Sequence, residues 1–204
     1  MSWIPESWRR YLKPLNKALS RTLWRTGIWL WVSRCGCRQV PYVVANEELL
    51  IRAVTSWHQK RNEWFHLFRN PKDDRVSVNR GRWISCWIVK LYARANVQNL
   101  SLTPPKCYVG FAFVSAEKVR ACKSEVEDSR KEYLGHADIR HNIPGHGETG
   151  EAPSPEFLKE LNNRAKRVAN SAIFVDDPNP KRLCWRNKCQ AERLCTQVSS
   201  ALRR

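Results

Sequence analysis

Val109-Gly-Phe-Ala-Phe-Val-Ser-Ala116 is the most regular local pattern in the chain. The run 107–114 is built from aromatic, β-branched and small residues, the composition of a strand. Ser115 then stands where a helix N-cap belongs, because its hydroxyl can accept from an unpaired amide of the first turn. Val119, Cys122 and Val126 follow on the inner stripe of that helix. A strand running straight into a capped amphipathic helix sets the fold class as α+β. The expected architecture is helix-rich, with a small central antiparallel sheet and flanking amphipathic helices.

Upstream, Thr103-Pro-Pro105 breaks the chain, and 83–92 is apolar with a period that fits helix and strand alike. Val76-Ser-Val78 and a turn-like Asn79-Arg-Gly-Arg82 precede it. Asn46 is a good N-cap, and Leu50, Val54, Trp57, Arg61, Trp64, Phe65 and Phe68 suggest one helix over 46–68. Residues 3–26 read as an amphipathic helical region, kinked or restarted at Pro14 and stopped near Gly27, with basic residues on much of the circumference that its apolar stripe leaves. Downstream, 135–155 is rich in Gly, Pro and His and reads as an exposed loop. Ser154-Pro-Glu156 opens another helix, with Phe157, Leu158, Leu161, Ala165 and Val168 facing inward. Ile173-Phe-Val175 fits a short strand, and Asp177-Pro-Asn-Pro180 sets off a basic C-terminal helix. These boundaries divide the chain into a basic amphipathic region 1–45, an α+β core 46–134, a flexible loop 135–155 and a helical basic region 156–204.

The chain has 204 residues and a formal charge of +17, so a counter-charged partner is expected: nucleic acid, an anionic membrane face or an acidic protein. No signal peptide is expected, since charges and a proline interrupt Met1-Ser-Trp-Ile-Pro-Glu-Ser-Trp-Arg-Arg before an apolar core forms. Gly27-Ile-Trp-Leu-Trp-Val32 is too short to span a bilayer, so no transmembrane segment is expected. A non-secreted protein of the nucleus or cytoplasm follows, with its eight cysteines in a reducing compartment. Ten tryptophans beside one methionine suit cores, stacking platforms and interfaces alike.

The octamer 109–116 resembles the central-strand motif of RNA-recognition-motif domains through Gly110, Phe111, Ala112, Phe113 and Val114. It departs at Val109, where that family has a basic residue, and at Ala116, where it has an aromatic. The resemblance implies an open sheet on which Phe111 and Phe113 stack on bases. It also implies strands near 75–78, 97–102 and 138–143, with helices over 82–95 and after Ser115. Only Ser77 occupies the first strand's stacking position. In being short, basic and Trp-rich the chain is similar in character to the lentiviral virion infectivity factor, an adaptor, though that family's Ser-Leu-Gln-x-Leu-Ala motif is absent. Residues 61–70 loosely resemble a Trp-His-Phe-Arg-Asn stretch of the bocaparvovirus nonstructural nucleoprotein. Neither resemblance carries a residue role across.

The leading expectation is a non-enzymatic nucleic-acid-binding accessory protein, with RNA favoured. Arg61, Arg69, Arg80 and Arg82 would hold phosphates, helped by Arg203 and Arg204, and Phe111 and Phe113 would stack. A rival reading is an adaptor that recruits host proteins through exposed Trp and Leu faces. Another is a peripheral membrane protein anchored by the N-terminal helix, with Trp3, Trp8, Arg9, Arg10 and Trp24 in contact. No cofactor is required. A zinc site could be drawn from His136, His141 and His146 with Cys184, Cys189 and Cys195, but no Cys-x-x-Cys knuckle begins it. No catalytic residue is assigned, since Gly-x-Ser-x-Gly, the phosphate-binding Gly-x-x-x-x-Gly-Lys and His-Glu-x-x-His are all missing.

Overall fold

The structure, a computed structural model, describes residues 40–60, 64–72, 74–144 and 153–181. The helical regions expected over 3–26 and from 181 onward lie outside those residues. The elements run in the order β1 (Leu49–Thr55), α1 (Ser56–Lys60), a 3-10 turn (Trp64–Phe68), β2 (Arg75–Arg80), α2 (Cys86–Tyr92), a π turn (Ala93–Val97), β3 (Tyr108–Ser115), α3 (Ala116–Ala121), β4 (Glu125–Asp128), β5 (His136–Arg140), α4 (Pro155–Ser171) and β6 (Ile173–Asp176). The strands form one antiparallel sheet in the order β4-β5-β2-β1-β3-β6, so the fold is α+β.

The octamer lies on β3, paired with β1 along its whole length and with β6 on its other side. Ser115 caps α3 by accepting from the Lys118 amide, and Ser154 caps α4 by accepting from Phe157. Phe157, Leu161, Ala165 and Val168 of α4 are buried, as their spacing predicts. The single helix expected over 46–68 is replaced by β1, α1 and the 3-10 turn. Helical spacing misleads there because β1 is an inner strand. Leu50 and Val54 face one core while Ile51 faces the other, so the in-out alternation of a strand is absent. Residues 136–140, expected within a loop, form β5, where Ala137 and Ile139 face inward between polar neighbours.

Both faces carry a core. On one, Leu50, Val76, Val78, Val114 and Ile139 pack under Val168 of α4, Val119 of α3 and Leu67 and Phe68 of the 3-10 turn. On the other, Ile51, Tyr108, Phe111 and Phe113 pack under Ile88 and Val89 of α2. That second cover stops short. On the same face of β2, β5 and β4, Arg75, Ser77, Glu125 and Glu127 are exposed and Asp138 and Arg140 half-buried.

Two buried ionic clamps close the ends of the fold. Arg80 is fully buried at the end of β2, and all five of its N–H groups donate. Nε and Nη2 meet Glu48 at 2.8 and 2.6 Å, and Nη1 meets Asp128 at 2.9 Å. The two remaining donors go to the carbonyls of Pro41 and Val43. Burial alone would lower its pKa, but the two carboxylates more than offset that and hold it above the ordinary value. Lys90 of α2 is the second clamp, paired with Asp177 at 2.6 Å, while the Tyr108 hydroxyl donates to the same carboxylate. Of the described cysteines, Cys107 and Cys122 are free and Cys86 is disulfide-bonded.

Gly110 is required by close approach, since a Cβ there would lie 2.3 Å from the Val175 carbonyl of β6. Gly110→Ala is expected to cost about 2–3 kcal/mol by forcing β6 away, measured as a lower urea midpoint. Arg80→Ala should cost about 3–5 kcal/mol in the same assay, because Glu48 and Asp128 would stay buried without their cation.

Candidate nucleic-acid interface

Arg52 is the arginine that the strand pattern leaves without a carboxylate. β1 pairs with β2 only at Leu50↔Arg80 and Ile51↔Asn79, after which the two strands part. Arg52 bridges that split, its Nη1 donating to the Ser77 carbonyl, while its buried Nε has no partner. Asp138, Tyr92 and Tyr133 lie near enough to favour its charged form. Burial outweighs them and lowers the guanidinium to about 10. Among the described residues no carboxylate is within ion-pair distance of Arg52.

Lys106 stands beside it. Its backbone exchanges two hydrogen bonds with Asn99, which fixes the approach to β3. Burial first, and then the Arg52 charge, lower its pKa. Its ammonium lies 6.0 Å from the centroid of the Trp57 ring. Trp57 is 37 % exposed and held in plane by its Nε1, which donates to the Pro104 carbonyl. The backbone around it is pinned as well, since the Ser56 amide donates to Cys107 at 2.8 Å. Two close cations without carboxylate partners, next to a fixed and accessible indole, form a locus that an anion would stabilise by relieving their repulsion.

Of the sequence-predicted residues, those that are described fall elsewhere. Arg80 is a structural clamp with every donor occupied, so it has none left for a phosphate. Phe111 and Phe113 are fully buried beneath α2, a correction to their expected stacking role. An octamer strand flanked by partners on both edges and covered by a helix exposes neither ring. The strand arrangement implied by that octamer also differs. β2 does not touch β3, because β1 lies between them, and no strand forms over 97–102. Arg82 is exposed over the Trp83 ring at 5.5 Å, and Arg69 is half-buried with its Nε unpartnered. Arg61, Arg203 and Arg204 lie outside the described residues, as do Trp3, Trp8, Arg9, Arg10 and Trp24.

Of the predicted metal residues, only His136 and His141 are among the described ones, and these two do not share a site. His136 and His141 are buried and bonded to different partners. His136 Nδ1 meets Ser129 Oγ, and its ring packs edge-on against Tyr133. His141 Nε2 donates to the Phe68 carbonyl at 2.8 Å, which leaves Nδ1 to accept from Ser124 Oγ. Among the described residues no group of three or more His, Cys, Asp or Glu could hold a metal ion. His146, Cys184, Cys189 and Cys195 lie outside them. No helix among the described residues is long and apolar enough to cross a membrane.

The signal for Arg52 was present in the sequence as a lone charge inside the apolar run Leu49-Leu-Ile-Arg-Ala-Val54, a position that a helix over 46–68 turns into an ordinary polar face. Comparison of the chain with family models, curated proteins and solved structures returns no match.

Burial lowers the pKa of both imidazoles below the usual value of 6.5, opposed at His136 by Asp138 and Glu132 and at His141 by the Phe68 bond and Asp74. The unfolded chain therefore takes up protons first as pH falls through about 6.5. Stability should be full well above that value and decline as pH falls through it towards the lowered folded-state values. Urea midpoints across this window check the slope, and His136→Gln/His141→Gln should flatten it.

Proposed function

We propose that this protein is a non-enzymatic binder of single-stranded nucleic acid, RNA foremost, which it holds at the Arg52–Lys106–Trp57 locus. The observation that carries this reading is a pair of cations with no described carboxylate within ion-pair distance, beside an indole that is both fixed and exposed. Arg52 and Lys106 would take a backbone phosphate, and Trp57 would stack on the adjoining base. Stacking of this kind accepts any base, because every base has a π face.

The distribution of charge supports it. Residues 1–39 and 182–204 hold 14 of the 36 Lys and Arg but only 2 of the 19 Asp and Glu, so most of the excess charge lies in these two segments. Both join the body on the α2 side of the sheet. Val40 packs in the core beneath α2, and the Lys181 carbonyl accepts from Arg94 in the π turn after that helix. Both basic segments thus adjoin described residues beside α2. They would add sequence-independent, salt-sensitive affinity to the contacts at the locus.

A second reading, contact with a partner protein, draws on Leu100 and Leu102, which are 65 % and 37 % exposed in the loop that carries Pro104 to Trp57. Complexes that survive nuclease and high salt would favour it.

Fluorescence anisotropy with a labelled single-stranded RNA tests the first reading. Affinity of the full chain should fall steeply with salt, and Trp57→Ala should weaken it about tenfold. Lys106→Ala should reduce the slope of log K against log salt by about 0.7, the loss of one phosphate contact. No retention at low salt, or an affinity indifferent to salt, would sink the proposal.

A further inference from the structure

The helix that carries Trp57, α1, is five residues long. That is too short to persist by its own hydrogen bonds, so the pose of Trp57 depends on how the residues around it are tied. Ser56 ties one side, its hydroxyl donating to the Pro105 carbonyl and accepting from the Cys107 amide. His58 ties the other. Thr55 is fully buried and stands just before the first helical residue, and its amide donates to His58 Nδ1 at 3.1 Å. An amide can only donate, so Nδ1 carries the lone pair and the ring proton sits on Nε2. The Thr55 hydroxyl, 3.0 Å from the same nitrogen, then donates as well. This is the half of a capping box in which the third helical side chain reaches back to the N-cap amide. In Thr55-Ser-Trp-His58 an imidazole holds the place that glutamate or glutamine usually takes.

The kind of acceptor matters beside an anion site. A glutamate would close the box as well, but it would put a negative charge one residue from Trp57, against the phosphate assigned to Arg52 and Lys106. A neutral imidazole accepts the same amide without that charge. With Ser56 tied before it, His58 tied after it and its own Nε1 held by Pro104, the indole is fixed through both neighbours and at its ring. We infer that His58 is the positioning residue of this locus: its neutral ring closes the turn that presents Trp57 to a base, and does so without repelling the phosphate. The role needs no contact between His58 and the nucleic acid. It rests on the nucleic-acid reading and adds to it a residue that acts through Trp57.

The test measures the affinity of the full-length protein for a labelled uridine-tract RNA, with urea midpoints of each variant alongside. His58→Ala should weaken binding about tenfold, as much as Trp57→Ala does, and should add nothing in the Trp57→Ala background. His58→Gln, which supplies a neutral acceptor, should recover most of that loss. His58→Glu should have a urea midpoint no lower than that of His58→Gln, yet bind about threefold less tightly at low salt, a gap that closes as salt screens the charge. Wild-type affinity in His58→Ala, with Trp57→Ala still weakening binding, overturns the positioning role and leaves the nucleic-acid reading standing. So does a His58→Ala loss that is just as large in the Trp57→Ala background, because the ring would then act by some route other than Trp57. Equal affinity of the Glu and Gln variants at low salt shows a cap that serves the fold alone, and also overturns it. Absence of binding by the wild type at low salt removes both readings. Should His58→Ala fail to fold, the Gln and Glu pair decides by itself.

Discussion

A guanidinium buried without water must have every N–H satisfied and its charge matched, and Arg80 meets both conditions only if three distant segments arrive together. Glu48 comes from just before β1, Asp128 from the end of β4, and the two carbonyls from residues 41 and 43. Arg130 extends the arrangement. It pairs with Asp128, donates to the Val40 carbonyl and lies 3.5 Å over the Tyr42 ring. The edge strand, the start of the central strand and the segment leading into it are thereby referred to one side chain. Burying such a group contributes little net stability, but it penalises any register in which the acids do not meet it.

The sheet is asymmetric in its cover, and the chemistry follows from that asymmetry. One face is packed across most of its strands, while the other is packed where β1, β3 and β6 meet α2 and where Tyr133 lies on Asn79 and His136. Where that cover ends, β1 and β2 are no longer paired, and Arg52 fills the gap. A charge at the border of a core keeps an anion-binding tendency that a fully solvated arginine loses to water, and a clamped one such as Arg80 to its acids. Arg80 and Arg52 therefore use the same residue type in opposite ways.

Legibility in the sequence tracked how local the determining physics is. The β3 strand, both serine caps, α4 and β6 were readable, because composition and a capping hydroxyl act over a few residues. The central strand β1 was not, since burial on both faces erases the alternation that identifies a strand, and Leu50, Val54 and Trp57 happen to fit a helical stripe. The site went unseen for the same reason. Arg52 becomes distinctive only once its segment is a strand that has parted from its neighbour. Arg80-Gly-Arg-Trp83 looks like an exposed turn, which makes Arg80 a phosphate candidate; nothing local marks Glu48 and Asp128, 32 and 48 residues away, as its partners.

The last strand carries a kinetic implication. β5 and β6 stand on opposite sides of the sheet centre, so the chain must traverse α4 and span three intervening strands before β6 can dock on β3. Long-range pairing of this kind is slow, because closure entropy is spent before any contact forms. Until it happens, the edge of β3 presents unpaired backbone along an octamer rich in apolar residues, a template for another chain. During synthesis that edge stays open until residues 173–176 have left the ribosome, which leaves the nascent chain exposed to misassembly until β6 docks.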